Sequence, residues 1–274
     1  MSATGPRTPF GPEAVDEIHL PDTPLADVIA QVRFPPITAL SRRDHLAAFQ
    51  EAVRSDYPVL REERQLAIVV TPQGISAVPQ ESGGILWRLS DVDGIWALTI
   101  APDFIALETK NYSSRSDFFA RLETALVSFQ EHIRPNLYDR IGVRYVNRLS
   151  GHEWLDSLST MVRPEVYGLL GTTTLKEGPE VVTASSAIQY RLDEGLLLVR
   201  TARLAANTAY DPSIPAAPVD SWLLDLDMST EHSKPMPFDA MELAALGRIF
   251  SERIYRYFRW SVTPELMQKA GANR

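Results

Sequence analysis

Apolar and polar positions along this chain repeat with two different periods, and the points where the period changes mark its elements. Over residues 26–34, ADVIAQVRF, Val28, Ala30, Val32 and Phe34 fall on one face and Asp27, Gln31 and Arg33 on the other, the two-residue period of a half-buried strand. Pro35 and Pro36 stop it, and Ser41, with Asp44 three residues on, opens a helix as an approximate capping box. Leu46, Phe49, Val53 and Tyr57 then recur at helical spacing until Pro58. Apolar runs at 66–70, 75–79, 85–89, 96–101 and 104–109 follow, separated by PQG, ESGG, DVDG and PD, and such turn-rich spacers predict an antiparallel meander. SDFFARLETALVSFQEHIRP sets Phe119, Leu122, Leu126, Phe129 and Ile133 on one stripe, the clearest amphipathic helix of the chain.

The second half repeats this plan. RIGVRYVNRL (140–149) reads as a strand, and HEWLDSLSTMVRPEVYGLL as a helix interrupted at Pro164. A long hairpin over 181–205 turns at Asp193-Glu194-Gly195, DSWLLDLDM is a further strand, and Asp239 caps a last helix carrying Leu243, Leu246, Phe250, Ile254 and Tyr257. The segments 211–218 and 231–237 are loops within this unit. QVRF (31–34) lies against GVRY (142–145), and SFQEHI (128–133) against IFSERI (249–254). The expectation is an α+β protein of two similar β-α-β(3–5)-α units with antiparallel sheets, which by order of elements resemble helix-grip or TATA-binding-protein-like halves. The boundaries expected are a disordered tail at 1–23, a first unit at 24–138, a second at 139–267 and a short C-terminal tail at 268–274.

Several of these stretches together, PLADVIAQVRFPP, FQEAVRSDYP, RIGVRYVNRL and the terminal FRWSVTPEL, resemble a sporadically distributed prokaryotic family of about this length. Its members open with a P-L-x-x-V-I-x-x-[VL]-R-F strand and carry an R-I-G-[VL]-R-Y-[VI]-N stretch. The resemblance runs from about residue 24 to 267. It implies a discrete protein and supplies no activity and no catalytic residues.

Composition narrows the chemistry. The chain has 274 residues and no cysteine, which removes disulfides, thiolate metal sites and a cysteine nucleophile. No apolar window is long enough for a membrane span, and the N-terminus lacks the basic start and apolar block of a secretory signal, so the expected location is the cytoplasm with no membrane partner. The net charge of −8 divides equally between residues 1–150 and 151–274, which speaks against nucleic acid as a partner. G-x-S-x-G, Walker-type and G-x-G-x-x-G stretches are missing from the sequence.

The sharpest feature is DRIGVRYVNRL (139–149). Strand alternation puts Arg140, Arg144 and Arg148 on one face and Ile141, Val143, Tyr145 and Leu149 on the other, and Arg33 joins the arginine face if the halves are related. A fixed array of guanidinium groups suits carboxylate or phosphate recognition. It suits equally a solvated sheet whose arginines pair with acids. The expected ligand-binding set is Arg33, Arg140, Arg144 and Arg148 with Tyr145 and Asn147 as neighbours, recognising an acidic segment of a partner protein, in a toxin-neutralising or defence setting. The alternative is an anionic, partly apolar small molecule held beneath the helix of a grip-like unit. A third reading uses Asp225 and Asp227 of WLLDLDMS as the carboxylates of a metal-dependent hydrolase. HEWLD lacks the second histidine of a metal helix, and the helix that carries RIYRYFRW (253–260) places Arg248, Glu252, Arg256 and Arg259 on a polar side. No cofactor is expected, and a homodimer is left open.

Overall fold

The computed structural model describes residues 6–11, 15–18, 20–64, 66–71, 74–79, 84–168, 170, 181, 183–211 and 214–272. In chain order the first half contains β1 (Leu25–Arg33), a 3-10 turn (Thr38–Ser41), α1 (Arg43–Val53), β2 (Val59–Arg64), β3 (Leu66–Thr71), β4 (Gly74–Pro79), β5 (Ile85–Ser90), β6 (Trp96–Ala101), β7 (Phe104–Thr109) and α2 (Arg115–His132). The second half contains β8 (Leu137–Tyr138), β9 (Arg140–Ser150), three one-turn helices α3 (His152–Leu155), α4 (Leu158–Met161) and α5 (Pro164–Tyr167), and the strands β10 (Ala184–Leu192), β11 (Gly195–Leu204) and β12 (Ser221–Ser229). It closes with β13 (Met236–Pro237), α6 (Ala240–Ser261) and α7 (Pro264–Lys269).

Nine strands form one antiparallel sheet in the order β10-β11-β12-β9-β1-β7-β6-β5-β2, while β3–β4 and β8–β13 pair apart from it. The opening strands of the two halves are thus central neighbours, and each is flanked by the last strand of its own meander. Their register sets Gln31 opposite Gly142, Val32 opposite Ile141 and Ala30 opposite Val143. Alternation then decides the faces. Val28, Ala30, Val32, Ile141, Val143, Tyr145, Trp222, Leu224, Leu226 and Met228 belong to one buried core with the helix stripes Leu46/Phe49, Phe119/Leu122/Phe129 and Leu243/Phe250/Ile254. Helix α2 packs on both α1 and α6, and α6 lies on β9 and β12. Gly247 permits the close α2–α6 approach, because a Cβ there would stand 2.8 Å from the Phe119 ring. At the β10–β11 turn Gly195 has φ +152°, and a Cβ would come 2.3 Å from the Ser229 carbonyl oxygen.

The mixed α+β class and the antiparallel sheet agree with the sequence pattern, and several finer expectations are corrected. Ser41 does not cap α1: Arg42 is the N-cap residue and makes no side-chain bond. The helix expected over 152–170 breaks into single turns, since Gly151 enters it at φ +88° and Pro164 starts a new turn. Strand β2 was not expected, because VLREER carries charge where alternation should show apolar residues; it is an edge strand of the sheet. Strands of 24–138 and 139–267 join in one sheet over one core, a point that the sequence pattern leaves open. Described residues of the 1–23 tail lie along α6: Phe10 packs on Tyr190 and Tyr257, and the Ile18 N–H donates to the Tyr255 hydroxyl at 2.8 Å. This cover also explains why Arg256 and Arg259, expected on a solvated helix side, are buried. At the other end, Ala270 is buried and accepts the Asp22 N–H. Among the described residues, no helix is long and apolar enough to cross a membrane.

Candidate functional site

Arg33, Arg140, Arg144 and Arg148 do share the helix-free face of the sheet, with Arg33 directly opposite Arg140. Three of the four are already matched by acids, while Arg148 donates to the Pro215 carbonyl at 2.7 Å. The Asp225 carboxylate, fully buried, accepts two bonds from Arg144 (Nε to Oδ1 at 2.8 Å, Nη2 to Oδ2 at 2.9 Å) and one from the Tyr210 hydroxyl at 3.1 Å, and forms an ion pair with Arg200 at 2.7 Å. Arg144 also bridges to Asp211, Arg140 to Asp227 at 3.3 Å and Arg33 to Asp103 at 2.6 Å. The pairing is cross-strand: Asp227 stands opposite Arg144 on one side, and Asp225 opposite Arg200 on the other. Burial would lower the Arg144 pKa, but hydrogen bonds and charge from Asp225 and Asp211 override it and raise it. Asp227 is pushed up by burial, against the pull of Arg140 and Arg144.

The six residues singled out by the sequence therefore divide. Tyr145 and Asn147 have odd numbers on β9 and face the helices, away from the four arginines. The two acids of the hydrolase reading serve as the acceptors of the arginine network, and among the described residues no group of three His, Cys, Asp or Glu side chains is placed to hold a metal ion. His152 and Asp156 lie 3.9 Å apart, both well exposed.

Tyr145 and Asn147 instead line a cavity of ≈ 300 Å³ between the sheet and the helices. Leu25, Leu226 and these two residues make its floor. Tyr112 to Arg115, at the start of α2, make one wall, and Ser251, Ile254, Tyr255 and Phe258 of α6 the other. Glu17, Ile18, Leu20 and Thr23 of the N-terminal segment roof it. Its polar end is a closed ring of hydrogen bonds. The Arg115 side chain donates from Nε to Ser251 Oγ (3.2 Å), Ser251 bonds the Tyr145 hydroxyl (2.8 Å), and Tyr145 donates to Tyr112 (3.3 Å). Tyr112 donates to Glu17 Oε1 (3.3 Å), which also accepts the backbone N–H of Arg115 (3.2 Å). Ser114 caps α2 through the Asp117 N–H, so the Arg115 amide that meets Glu17 lies at the positive end of an 18-residue helix.

Burial, with the neighbouring Tyr145, pushes the Tyr112 phenol well above its usual range, and burial pushes Tyr145 up to about 12. Both phenols stay protonated at neutral pH, so the ring donates and orients and holds no phenolate base. Chemically the cavity is amphipathic: aliphatic and aromatic on most sides, with hydroxyl and guanidinium donors gathered at one end.

Sequence reasoning missed Glu17, Tyr112, Arg115, Ser251 and Tyr255. One signal was present. Ser251 interrupts the apolar stripe of α6 between Gly247, Ile254 and Phe258, and a small hydroxyl on a core stripe needs a partner. Comparison with family models, with curated proteins and with solved structures found no match to this chain.

Proposed function

We propose that this chain is a non-enzymatic binder of a small, partly apolar carboxylate, held in the cavity between the sheet and helices α2 and α6. The observation that carries this reading is the treatment of Glu17. Its carboxylate already sits at the polar end, accepting the Arg115 N–H and the Tyr112 O–H, while Leu20, Leu25, Leu226, Ile254 and Phe258 supply apolar surface. A ligand carboxylate would take that place, adding a charge-assisted bond to Arg115, and its hydrocarbon part would lie against Leu226, Ile254 and Phe258.

The reading that an acidic partner segment binds the outer arginines has less support, because that segment would have to displace Asp225, Asp227 and Asp103. The two halves are read as copies of one ancestral unit. Offsetting the first half by 111 residues places Gln31 on Gly142, the same two residues that pair in the sheet, as a twofold axis through that pair would require. The cavity is then the helix-grip element of the fold.

The test is a thermal-shift series with hexanoate, octanoate and phenylacetate against the matched alcohols. The carboxylates raise the unfolding midpoint and the alcohols do so much less. Arg115→Ala removes the difference and Arg140→Ala keeps it. Equal shifts for acids and alcohols, or loss of the shift in Arg140→Ala alone, would overturn the proposal.

A further inference from the structure

The helix-free face holds a second cavity, ≈ 370 Å³, between the sheet and the loop over 214–219. The loop is pinned to the sheet. Ile214 joins Val146, Ala202, Leu204 and Leu223 in a separate apolar cluster, and the Ala217 carbonyl accepts the Asn207 N–H at 2.6 Å. Three charged side chains line this cavity: Asp27 of β1 and Arg148 of β9, on adjacent strands, and Lys110 just after β7. Asp27 and Arg148 carry the open bonding positions.

Both are incompletely partnered. Asp27 is 3% exposed, and neither carboxylate oxygen has a hydrogen-bond partner. Arg148 anchors Nη1 on the Pro215 carbonyl at 2.7 Å, which leaves Nε and Nη2 without partners. Nε and Nη2 form the edge with which a guanidinium grips a carboxylate in two-pronged fashion. Asp27 and Arg148 share the cavity without an ion pair between them. Native proteins pair nearly all buried polar groups, and an unpaired buried charge costs several times an ordinary hydrogen bond. Here two opposite charges are held in one cavity beside Lys110, each with its bonding edge buried and unpartnered.

We propose that this cavity is a binding site for a small zwitterion, an α-amino acid with an apolar side chain. The ammonium group meets the Asp27 carboxylate, the carboxylate meets the Nε–Nη2 edge of Arg148, and the side chain lies against Ile214, Pro215 and Val219. A simple anion would leave the Asp27 oxygens without a hydrogen-bond partner and a simple cation would leave the Nε–Nη2 edge of Arg148 without one, so the pair favours a ligand carrying both charges. Asp27 faces Glu108, Lys110 and Arg144 as well. Burial and then Glu108 push its pKa up to about 7, against Lys110 and Arg144, which is the behaviour of a carboxyl group still short of a cation. The site lies across the sheet from the carboxylate cavity and does not depend on it.

Calorimetric titration of the full chain above pH ~8, where Asp27 is ionised, would use leucine, methionine and phenylalanine. The controls are 4-methylpentanoate, which is leucine without its ammonium group, and 3-methylbutylamine, which is leucine without its carboxylate. At least one amino acid binds, and each control binds at least about tenfold more weakly, the loss expected when a buried charge is left unpaired. Both controls are run in Arg115→Ala as well, which removes carboxylate binding in the inner cavity. Arg148→Gln and the isosteric Asp27→Asn each lower amino-acid affinity by about tenfold or more, and Arg115→Ala leaves it unchanged. No binding by any of the three amino acids to the unaltered chain would overturn the proposal. So would equal binding of leucine and 4-methylpentanoate in Arg115→Ala. Should either variant fail to fold, the control series on the unaltered chain and on Arg115→Ala still decides.

Discussion

The two faces of the central sheet use charge in opposite ways. On the outer face, charges are numerous and visible in sequence, yet most neutralise one another: Arg144 and Arg200 converge on Asp225, and Arg140 is held by Asp227. On the inner face, a single guanidinium, Arg115, stands at the polar end of an amphipathic cavity, joined to hydroxyl groups from α6 and β9. The lesson is that the density of charged residues on a strand does not locate a ligand. A group becomes available for recognition when its own chain leaves it incompletely satisfied, or satisfies it with a neighbour that a ligand can imitate, as Glu17 does.

The largest way to break this contrast is to remove the outer hub. Asp225→Ala leaves Arg144, Arg200 and Tyr210 without their common acceptor, and should lower stability by about 3–5 kcal/mol, read as a fall in the urea midpoint. A loss below about 1 kcal/mol would mean that the network is an ordinary surface arrangement. Next in size is Asp27→Asn, which should stabilise the chain at neutral pH by roughly 2–4 kcal/mol. The sign follows from its pKa of about 7 in the folded chain against an ordinary value of 3.8. Folding favours the protonated form, so its contribution is fully present below pH ~4 and is lost as the pH rises through about 7. Unfolding curves from pH 4 to 8 should show this decline in the unaltered chain and a smaller one in Asp27→Asn; parallel profiles would contradict it.

On the inner face, Tyr145→Phe removes the link between Ser251 and Tyr112 and should cost about 1 kcal/mol, with a carboxylate ligand weakened in the same proportion. The smallest effect is expected for Arg33→Ala, since the Arg33–Asp103 pair is substantially exposed, and the change should stay within about 1 kcal/mol. A larger loss there would bring Arg33 into the buried network and sharpen the boundary between hub and rim.

Much of the fold could be read from the sequence, because two-residue and helical periods translate directly into which side chains are buried. β1, β9, β12, α2 and α6 all follow the pattern of their apolar positions, and Ser114 and Asp239 cap α2 and α6 through side-chain bonds. Strand β2 was hidden by the charges of VLREER, which an edge strand tolerates. The short helices after Gly151 were hidden because single turns lack a stripe.

The candidate site was only half legible. Alternation placed the four arginines on one face, but it carries no information on which acids lie across from them in register. The same alternation puts Tyr145 and Asn147 on the opposite face from Arg144. The inner cavity draws Glu17, Tyr112 with Arg115, Tyr145 and Ser251 from four separated stretches, and only the sheet order and the α2–α6 packing bring them together.

The central claim, that carboxylate recognition belongs to the inner cavity and its Glu17 carboxylate marks the place of the ligand head, is tested most directly by calorimetric titration of octanoate into the unaltered chain, Glu17→Gln, Arg115→Ala and Arg140→Ala. The account predicts binding to the unaltered chain, tighter binding to Glu17→Gln, loss in Arg115→Ala and no change in Arg140→Ala. Binding that survives Arg115→Ala and vanishes in Arg140→Ala would contradict it.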